Sequence, residues 1–373
     1  MEFFEKEEPI SPFIRVSANS LKRFACEVFK ALGVREEDAS VAADVMVTAD
    51  LMGISSHGVQ RLGRYVGGIE SGAINVNPEM RFVVDSYAVG VLDADNGLGQ
   101  VAAYKAMMKA VEKARQFGIG IVLVRRSHHF GIAGYYALKA VENSMIGVTM
   151  TNTTPLVAYI GSVEKYLGTN AIAFAAPRKQ PPPLLFDGAL SVAPIGRLEL
   201  YSKTGREIPA GWVIGIDGEV MRGDAKKIYN AFTKGLAALL PLGGHTEELG
   251  GHKGSGLALV IDVFCGVLSG ASWGYHVKYT TVKNANVGHT LIAIDIAKFM
   301  KLEEFYERLE QMVSEIKALR KAPWTKNIWI PGERSWLTMQ TRLRIGIPLH
   351  LSIVEELKSI AKRVGVKFDA ETL

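Results

Sequence analysis

Gly120-Ile121-Val122-Leu123-Val124, running on into Arg125-Arg126-Ser127-His128-His129-Phe130-Gly131, is the stretch whose reading decides the fold. It follows a long helical pattern that opens at Gly97 and closes near Phe117. A short apolar, β-branched run in that position predicts a buried strand. The strand delivers a polar cluster with two histidines at its C-terminal end. The next unit repeats the plan. Residues 131–143 read as a helix, Ile146-Gly147-Val148-Thr149-Met150 as a strand, and Thr151-Asn152-Thr153-Thr154-Pro155 as its polar loop. Open sheets bind ligands at such loops.

Outward from there the pattern alternates. Residues 21–32, closed by Gly33, and 39–50 predict two helices. Residues 81–85 and 88–94 predict a pair of strands, and 171–176 and 184–186 two more. A strand is predicted over 290–295, an amphipathic helix over 302–319, an extended stretch at 328–334 and a last helix over 352–364. The glycine-rich Gly250-Gly251-His252-Lys253-Gly254-Ser255-Gly256 opens an apolar helix, expected to be a buried core element. It lacks the order of a P-loop, and no GxGxxG follows a predicted strand. A Rossmann nucleotide fold is therefore disfavoured, whereas an anion-cradling loop with one lysine is not.

The second chemistry-bearing stretch is Ser55-Ser56-His57-Gly58-Val59-Gln60-Arg61-Leu62-Gly63-Arg64-Tyr65. Read as a helix from Ser56, it stacks His57, Arg61 and Tyr65 on one face. An imidazole moves protons near neutral pH, a guanidinium fork holds a carboxylate, and a phenol orients an oxygen. That makes half a site for a small acid with an oxygen on the neighbouring carbon. Against it stands the plainer reading of a polar stripe on a surface helix. His128-His129 reads as an acid/base site or, equally, as a histidine capping a carbonyl. Asp187, after an apolar strand, reads as a histidine's partner or as a turn aspartate. Asn152, Thr153, Thr169 and Asn170 are polar contacts suited to a carboxamide or ribose.

Composition narrows the classes. The chain has 373 residues, 48% hydrophobic and 22% charged, with 38 glycines and a net charge of +5, enough for two domains of an ordinary glycine-rich α/β enzyme. Basic residues are interleaved with acidic ones, so no nucleic-acid partner is expected. The two cysteines, Cys26 and Cys265, sit far apart in apolar stretches and suit a reducing cytoplasm. Residues 1–9 carry four glutamates, unlike a signal peptide, and no apolar run reaches a membrane span. His57, His245, His252, His276, His289 and His350 show no HExxH spacing, so no metal is expected.

These motifs, in this order, resemble the malate/L-lactate dehydrogenases of the second type. That family also contains ureidoglycolate, sulfolactate and diketogulonate oxidoreductases and cyclic-imine reductases. The resemblance covers nearly the whole chain. It is carried by Ser56-His57-Gly58-Val59-Gln60-Arg61, Ser127-His128-His129-Phe130-Gly131-Ile132-Ala133-Gly134-Tyr135-Tyr136, Leu167-Gly168-Thr169-Asn170, Lys253-Gly254-Ser255-Gly256-Leu257-Ala258-Leu259 and Pro331-Gly332-Glu333.

The resemblance implies an α/β protein with a non-Rossmann, mixed-sheet nucleotide-binding domain at 79–299. It implies a helical domain from 1–78 plus 300–373, a homodimer, and NAD or NADP as hydride carrier. The implied activity is oxidation and reduction of a small 2-hydroxy/2-keto acid, malate and oxaloacetate first. L-lactate, sulfolactate and cyclic imino acids are the alternatives. A histidine-dependent metal hydrolase or a ligand-binding protein is the competing class. Ser56, His57, Arg61 and Tyr65 would face the substrate, His129 would be the proton acceptor with His57 close behind, and Asp187 would pair with the catalytic histidine. Asn152, Thr153, Thr169, Asn170, Asp187, Gly188, Ala189, Ser191, Lys253, Gly254, Pro331, Gly332 and Glu333 would contact the cofactor.

The sequence departs from the family pattern at three places. Asp187-Gly188-Ala189-Leu190-Ser191 stands for the usual Asp-Met-Ala-Thr-Ser, Gly196-Arg197 for a Gly-Lys pair, and His128 for a common asparagine.

Overall fold

Strand Ile119–Ser127, longer at both ends than the sequence run, lies third in a seven-stranded sheet. The computed structural model describes residues 5–6 and 9–369. The sheet runs in the order Arg81–Ser86, Val89–Asp93, Ile119–Ser127, Val287–Asp295, Met145–Thr151, Ala171–Ala176 and Leu184–Gly188. Only Val89–Asp93 and Ile119–Ser127 pair in parallel; every other neighbour is antiparallel. A strand from late in the chain thus occupies the centre, which no doubly wound parallel sheet does. This is the mixed, non-Rossmann α/β architecture.

Helices Gly99–Phe117 and Ala133–Val141 pack an alanine-rich face onto the sheet. Ala102, Ala106, Ala110, Ala137 and Ala140 meet Val122, Val124 and Leu291 there, all buried. The contact is close because Gly120 has no side chain. A Cβ on it would lie 2.0 Å from the Ala110 carbonyl oxygen. The close packing holds the Ser127–Gly131 loop in place.

The two ends of the chain share a second core. Helices Ala18–Ala31, Glu36–Leu51, Leu62–Glu70 and Leu351–Val364 surround Leu21, Phe24, Phe29, Met46, Leu62, Tyr65, Leu357 and Ile360. Strands Phe13–Val16 and Ile347–His350 pair antiparallel beside them. Each such buried side chain contributes about 1.5–3 kcal/mol, so the terminal segments are held firmly.

Three features differ from the sequence reading. The 79–299 stretch contains a second, five-stranded sheet: Val220–Asp224, Glu207–Gly215, Ala237–Leu239, Val157–Ala158 and Lys165–Leu167. It has its own core of Leu156, Leu198, Ile208, Val213 and Phe232. Helix Leu302–Ala318, expected with the terminal helices, instead packs Leu309 and Val313 against Ala176 and Ile330, on the large sheet's side. Helix Gly251–Asp262, continued by a π-turn Val263–Val267, is not a buried core element. Gly254, Ala258, Ile261 and Cys265 are buried, but Leu257, Val260, Val263 and Val267 are about half exposed. Among the described residues, no helix is long and apolar enough to cross a membrane.

Candidate active site

The Ser55–Tyr65 stretch is not one helix. It forms two 3₁₀ turns, Ser55–His57 and Val59–Arg61, and becomes α-helical only at Leu62–Glu70. Gly58 between them is extended, with φ −82° and ψ −155°. The expected single-face stack of His57, Arg61 and Tyr65 therefore does not exist; the three converge by chain geometry instead.

Asp50, at the end of helix Glu36–Leu51, fixes that geometry. Its Oδ2 accepts from Val59 N–H at 2.8 Å. Its carboxylate fills the place a Gly58 Cβ would need, 2.0 Å from Oδ1. Burial pushes the Asp50 carboxyl up to about 7, against the lowering by the Val59 N–H and by Arg342. Arg342 donates to the Asp50 carbonyl at 2.6 Å and to Glu5 at 2.8 Å, tying the stretch to the C-terminal helix Glu333–Ile345 and the N-terminal strap. Sequence reasoning missed both Asp50 and Arg342. Their only signal was a charge inside an otherwise helical segment.

The structure brings His57, Tyr65 and His129 together. The imidazoles of His57 and His129 stack with centroids 5.5 Å apart and planes 18° from parallel. Tyr65 Oη lies 2.7 Å from His129 Nδ1, and Gly131 N–H donates to the same nitrogen at 3.3 Å. His57 Nδ1 lies 3.0 Å from Ser56 Oγ. Each ring thus has its Nδ1 engaged, leaving Nε2 for a ligand.

Both imidazoles are held neutral. Burial first, then Arg61 and Arg64, pull His57 down to about 4. Burial, then Arg64, His57 and Arg61, keep His129 well below 6.5. Burial also raises the Tyr65 phenol, so it stays protonated and can donate to Nδ1 or accept from it. Arg61 Nε donates to the Ser56 carbonyl at 2.7 Å, while its nearest carboxylate, Glu199, stands 4.0 Å away. Its fork therefore makes only a long ion pair, through Nη2 to Glu199. Gly196 closes on this corner: a Cβ there would lie 3.1 Å from Ser56 Cβ and 3.5 Å from Arg61 Nη2.

Other sequence candidates have structural work. His128 is buried with Nε2 3.0 Å from the Ala73 carbonyl, the capping histidine of the plainer reading. Asp187 does not pair with a histidine. Its Oδ2 accepts from Gly134 N–H at 2.7 Å, at the start of helix Ala133–Val141, and burial raises its carboxyl to about 6. The aspartate satisfies a free helix N–H and the helix's positive end.

Asn152 is fully buried and spent. It donates to Asp262 and the Ser272 carbonyl at 3.0 and 2.7 Å, and accepts from Gly288 N–H at 3.0 Å. Asn170 likewise accepts from Thr153 N–H and donates to the Ala258 carbonyl. Ser191, also buried, donates to the Ala193 carbonyl. These three amides and hydroxyls are not open to a cofactor. Gly254 is required by packing, since a Cβ would lie 2.0 Å from the Leu242 carbonyl oxygen.

What remains suits a dinucleotide. Thr153 and Thr169 are only partly buried and linked through their hydroxyls, and Leu190 N–H on the Thr169 carbonyl joins them to Ala189 and the end of strand Leu184–Gly188. Pro331 and Gly332 lie along the same strand, with Leu185 N–H donating to the Pro331 carbonyl at 3.0 Å. Glu333 accepts from Lys317 and from Ile330 N–H. Lys253 lines an open cleft of about 330 Å³ with Glu247 and Glu248 and forms no ion pair among the described residues. The N–H groups of Gly251, Lys253 and Gly254 at the start of helix Gly251–Asp262 are taken by the Thr246 and Gly250 carbonyls, which leaves the Lys253 ammonium as the cation facing the cleft. No group of three or more His, Cys, Asp and Glu among the described residues is placed to hold a metal ion.

The structure thus brings a pair of buried imidazoles and a guanidinium with only a long ion pair together, on a mixed sheet. The malate/L-lactate dehydrogenase family model matches residues 16–358, and the chain belongs to that family. It is 52% identical to the malate dehydrogenase of Pyrococcus abyssi over 98% of this chain and 99% of that one. Identity to the malate/(S)-sulfolactate dehydrogenase of Methanothermus fervidus is 36%, over 94% and 98% of the two chains. The structure of the malate dehydrogenase from Pyrococcus horikoshii superposes with a TM-score of 0.90 at 49% identity, covering 98% and 99%. The protein is a dehydrogenase acting on a small hydroxy acid with a nicotinamide cofactor.

Proposed function

We propose that this dehydrogenase interconverts malate and oxaloacetate, with NAD or NADP as hydride carrier. The observation that carries the reading is the Tyr65–His129–His57 cluster beside Arg61, whose ion pair to Glu199 is a long one. The level of identity to a relative named malate dehydrogenase supports the choice among hydroxy acids.

A nicotinamide dinucleotide would supply the hydride chemistry when bound; Thr153, Thr169, Lys253, the Asp187–Ala189 segment and Pro331-Gly332-Glu333 would hold it. The chain's own residues do the rest. Arg61 grips the carboxylate next to the reacting carbon and sets its orientation, so that proximity lowers the barrier. His129 Nε2 takes the hydroxyl proton in oxidation and returns it in reduction. For Nε2 to be the basic nitrogen, Nδ1 must carry the ring proton and donate it to Tyr65 Oη, so the long 3.3 Å approach of Gly131 N–H gives way in the reactive tautomer. His57 stacks on the second face of the ring and Ser56 steadies it.

The test is oxidation of NADH and NADPH, followed by loss of their absorbance, with oxaloacetate, pyruvate and a cyclic imino acid side by side. Oxaloacetate is expected to exceed pyruvate in kcat/KM by at least about tenfold, the discrimination one buried polar contact supplies. Preference for pyruvate or for the imino acid would replace malate as the substrate.

Homodimer formation belongs to the same proposal. Leu257, Val260, Val263 and Val267 recur at helical spacing on one exposed face, an apolar strip of the kind that marks association surfaces. Val260→Glu is expected to convert a particle of twice the chain mass into one of the single mass in sedimentation equilibrium; an unchanged mass removes this face from the interface. The free thiols of Cys26 and Cys265 support a cytoplasmic location.

A further inference from the structure

We infer that Arg64 is the second cation of the site and reads the distal carboxylate of a four-carbon dicarboxylic substrate. The inference rests on the oxaloacetate reading above and adds the residue that separates it from pyruvate.

Arg64 sits three residues after Arg61 and immediately before Tyr65, on helix Leu62–Glu70. Its Nε donates to Thr280 Oγ1 at 3.0 Å, and Thr280 is buried. That bond fixes the side chain while using one of five N–H donors. Among the described residues, neither terminal nitrogen has a hydrogen-bond partner, which leaves both for a bidentate ligand. The charged and titratable groups it feels are Tyr65, Arg61 and Tyr279, with no carboxylate among them, and burial lowers its pKa. A guanidinium stays protonated at neutral pH all the same.

Two arginines at the ends of these strands are already neutralised. Arg125 pairs with Asp93, and Arg126 with Asp93 and Asp95. Arg197 stacks over the Trp212 ring. Arg64 is different: a largely desolvated cation, pinned by a hydroxyl and not by an acid. Such a charge is costly unless an anion joins it. It is also the nearest thing to a sensor of the reaction centre, since its field ranks first among the charges that keep His129 neutral. With Arg61 on the carboxylate next to the reacting carbon and His129 on the oxygen, Arg64 supplies the cation that only a dicarboxylate can use.

The experiment compares kcat/KM for oxaloacetate and pyruvate in the wild type, Arg64→Gln and Arg64→Lys. In Arg64→Gln the oxaloacetate-to-pyruvate ratio is expected to fall about 100-fold, chiefly through KM for oxaloacetate, the scale of losing a charge-assisted bidentate pair. Arg64→Lys should recover part of the ratio, since it restores the charge without the fork. A wild type that favours oxaloacetate, with an Arg64→Gln variant that loses both substrates equally, overturns this inference alone. A wild type without preference for oxaloacetate overturns it together with the dicarboxylate reading.

Discussion

Replacement of His129 by asparagine lowers kcat by about 10³, within the range a positioned general acid/base supplies, while His57→Asn costs about tenfold. The asymmetry comes from how the rings are held. His129 stands on a loop closing a strand whose packing is fixed by Gly120, and its Nδ1 has two partners, Tyr65 and Gly131 N–H. His57 lies in a single 3₁₀ turn with only the Ser56 hydroxyl on its Nδ1. Single-turnover rates with saturating cofactor measure both variants; a larger loss for His57→Asn would exchange the two roles.

The pH dependence follows from the same geometry. Oxidation of the hydroxy acid needs a neutral imidazole. A pKa held below the ordinary 6.5 means the ring is already neutral at pH 7 and protonates only as pH falls through the lowered value. The acid limb of kcat/KM for oxidation, which reports the free enzyme, is therefore expected well below pH 6.5. Bound carboxylates offset the fields of Arg61 and Arg64, so the limb in kcat should lie at higher pH than the limb in kcat/KM. Because His57 and His129 interact, the limb belongs to the pair. A kcat/KM limb at or above pH 6.5 would count against a buried, arginine-flanked base.

The large sheet was legible because its signals are local. Apolar runs such as 171–176 coincide with the strand, and Gly97 to Phe117 gave helix Gly99–Phe117 to within two residues. His129 and Arg61 were legible as candidates because residue type alone suggests their chemistry. The five-stranded sheet was not, since Glu207–Gly215 and Val220–Asp224 alternate poorly and owe their pairing to the core around Val213 and Phe232. The candidates that turned out structural, Asn152, Asn170 and His128, share one cause. A polar residue after a buried strand can face the ligand or satisfy the backbone that ends there, and sequence does not distinguish the two. Asp187 belongs with them in its contact to Gly134 N–H. Arg64 shows the converse: its interest lies in the missing carboxylate, which only the fold reveals.

Gly58→Ala is expected to destabilise the protein by about 2–6 kcal/mol and to lower kcat/KM by at least about 100-fold. The new methyl would sit 2.0–2.3 Å from the Asp50 carboxylate atoms. Backbone φ is ordinary there, so the loss is one of space and not of conformation. Overpacking alone costs about 1–3 kcal/mol. Expelling the carboxylate also strands Val59 N–H, at about 1–3 kcal/mol more. The functional loss is separate, because Gly58 joins the turn carrying His57 to the turn carrying Arg61, and a shift of about 1 Å in such groups costs about 100-fold. The clash assigns a specific coupling. Asp50→Ala alone should destabilise, but adding Gly58→Ala to it should cost less than about 1 kcal/mol, because the occupied volume is then vacant. Denaturant unfolding of the two single variants and the double variant measures this. Additive losses would mean that Gly58 is constrained by something other than Asp50, and the placement of His57 and Arg61 would then need another anchor.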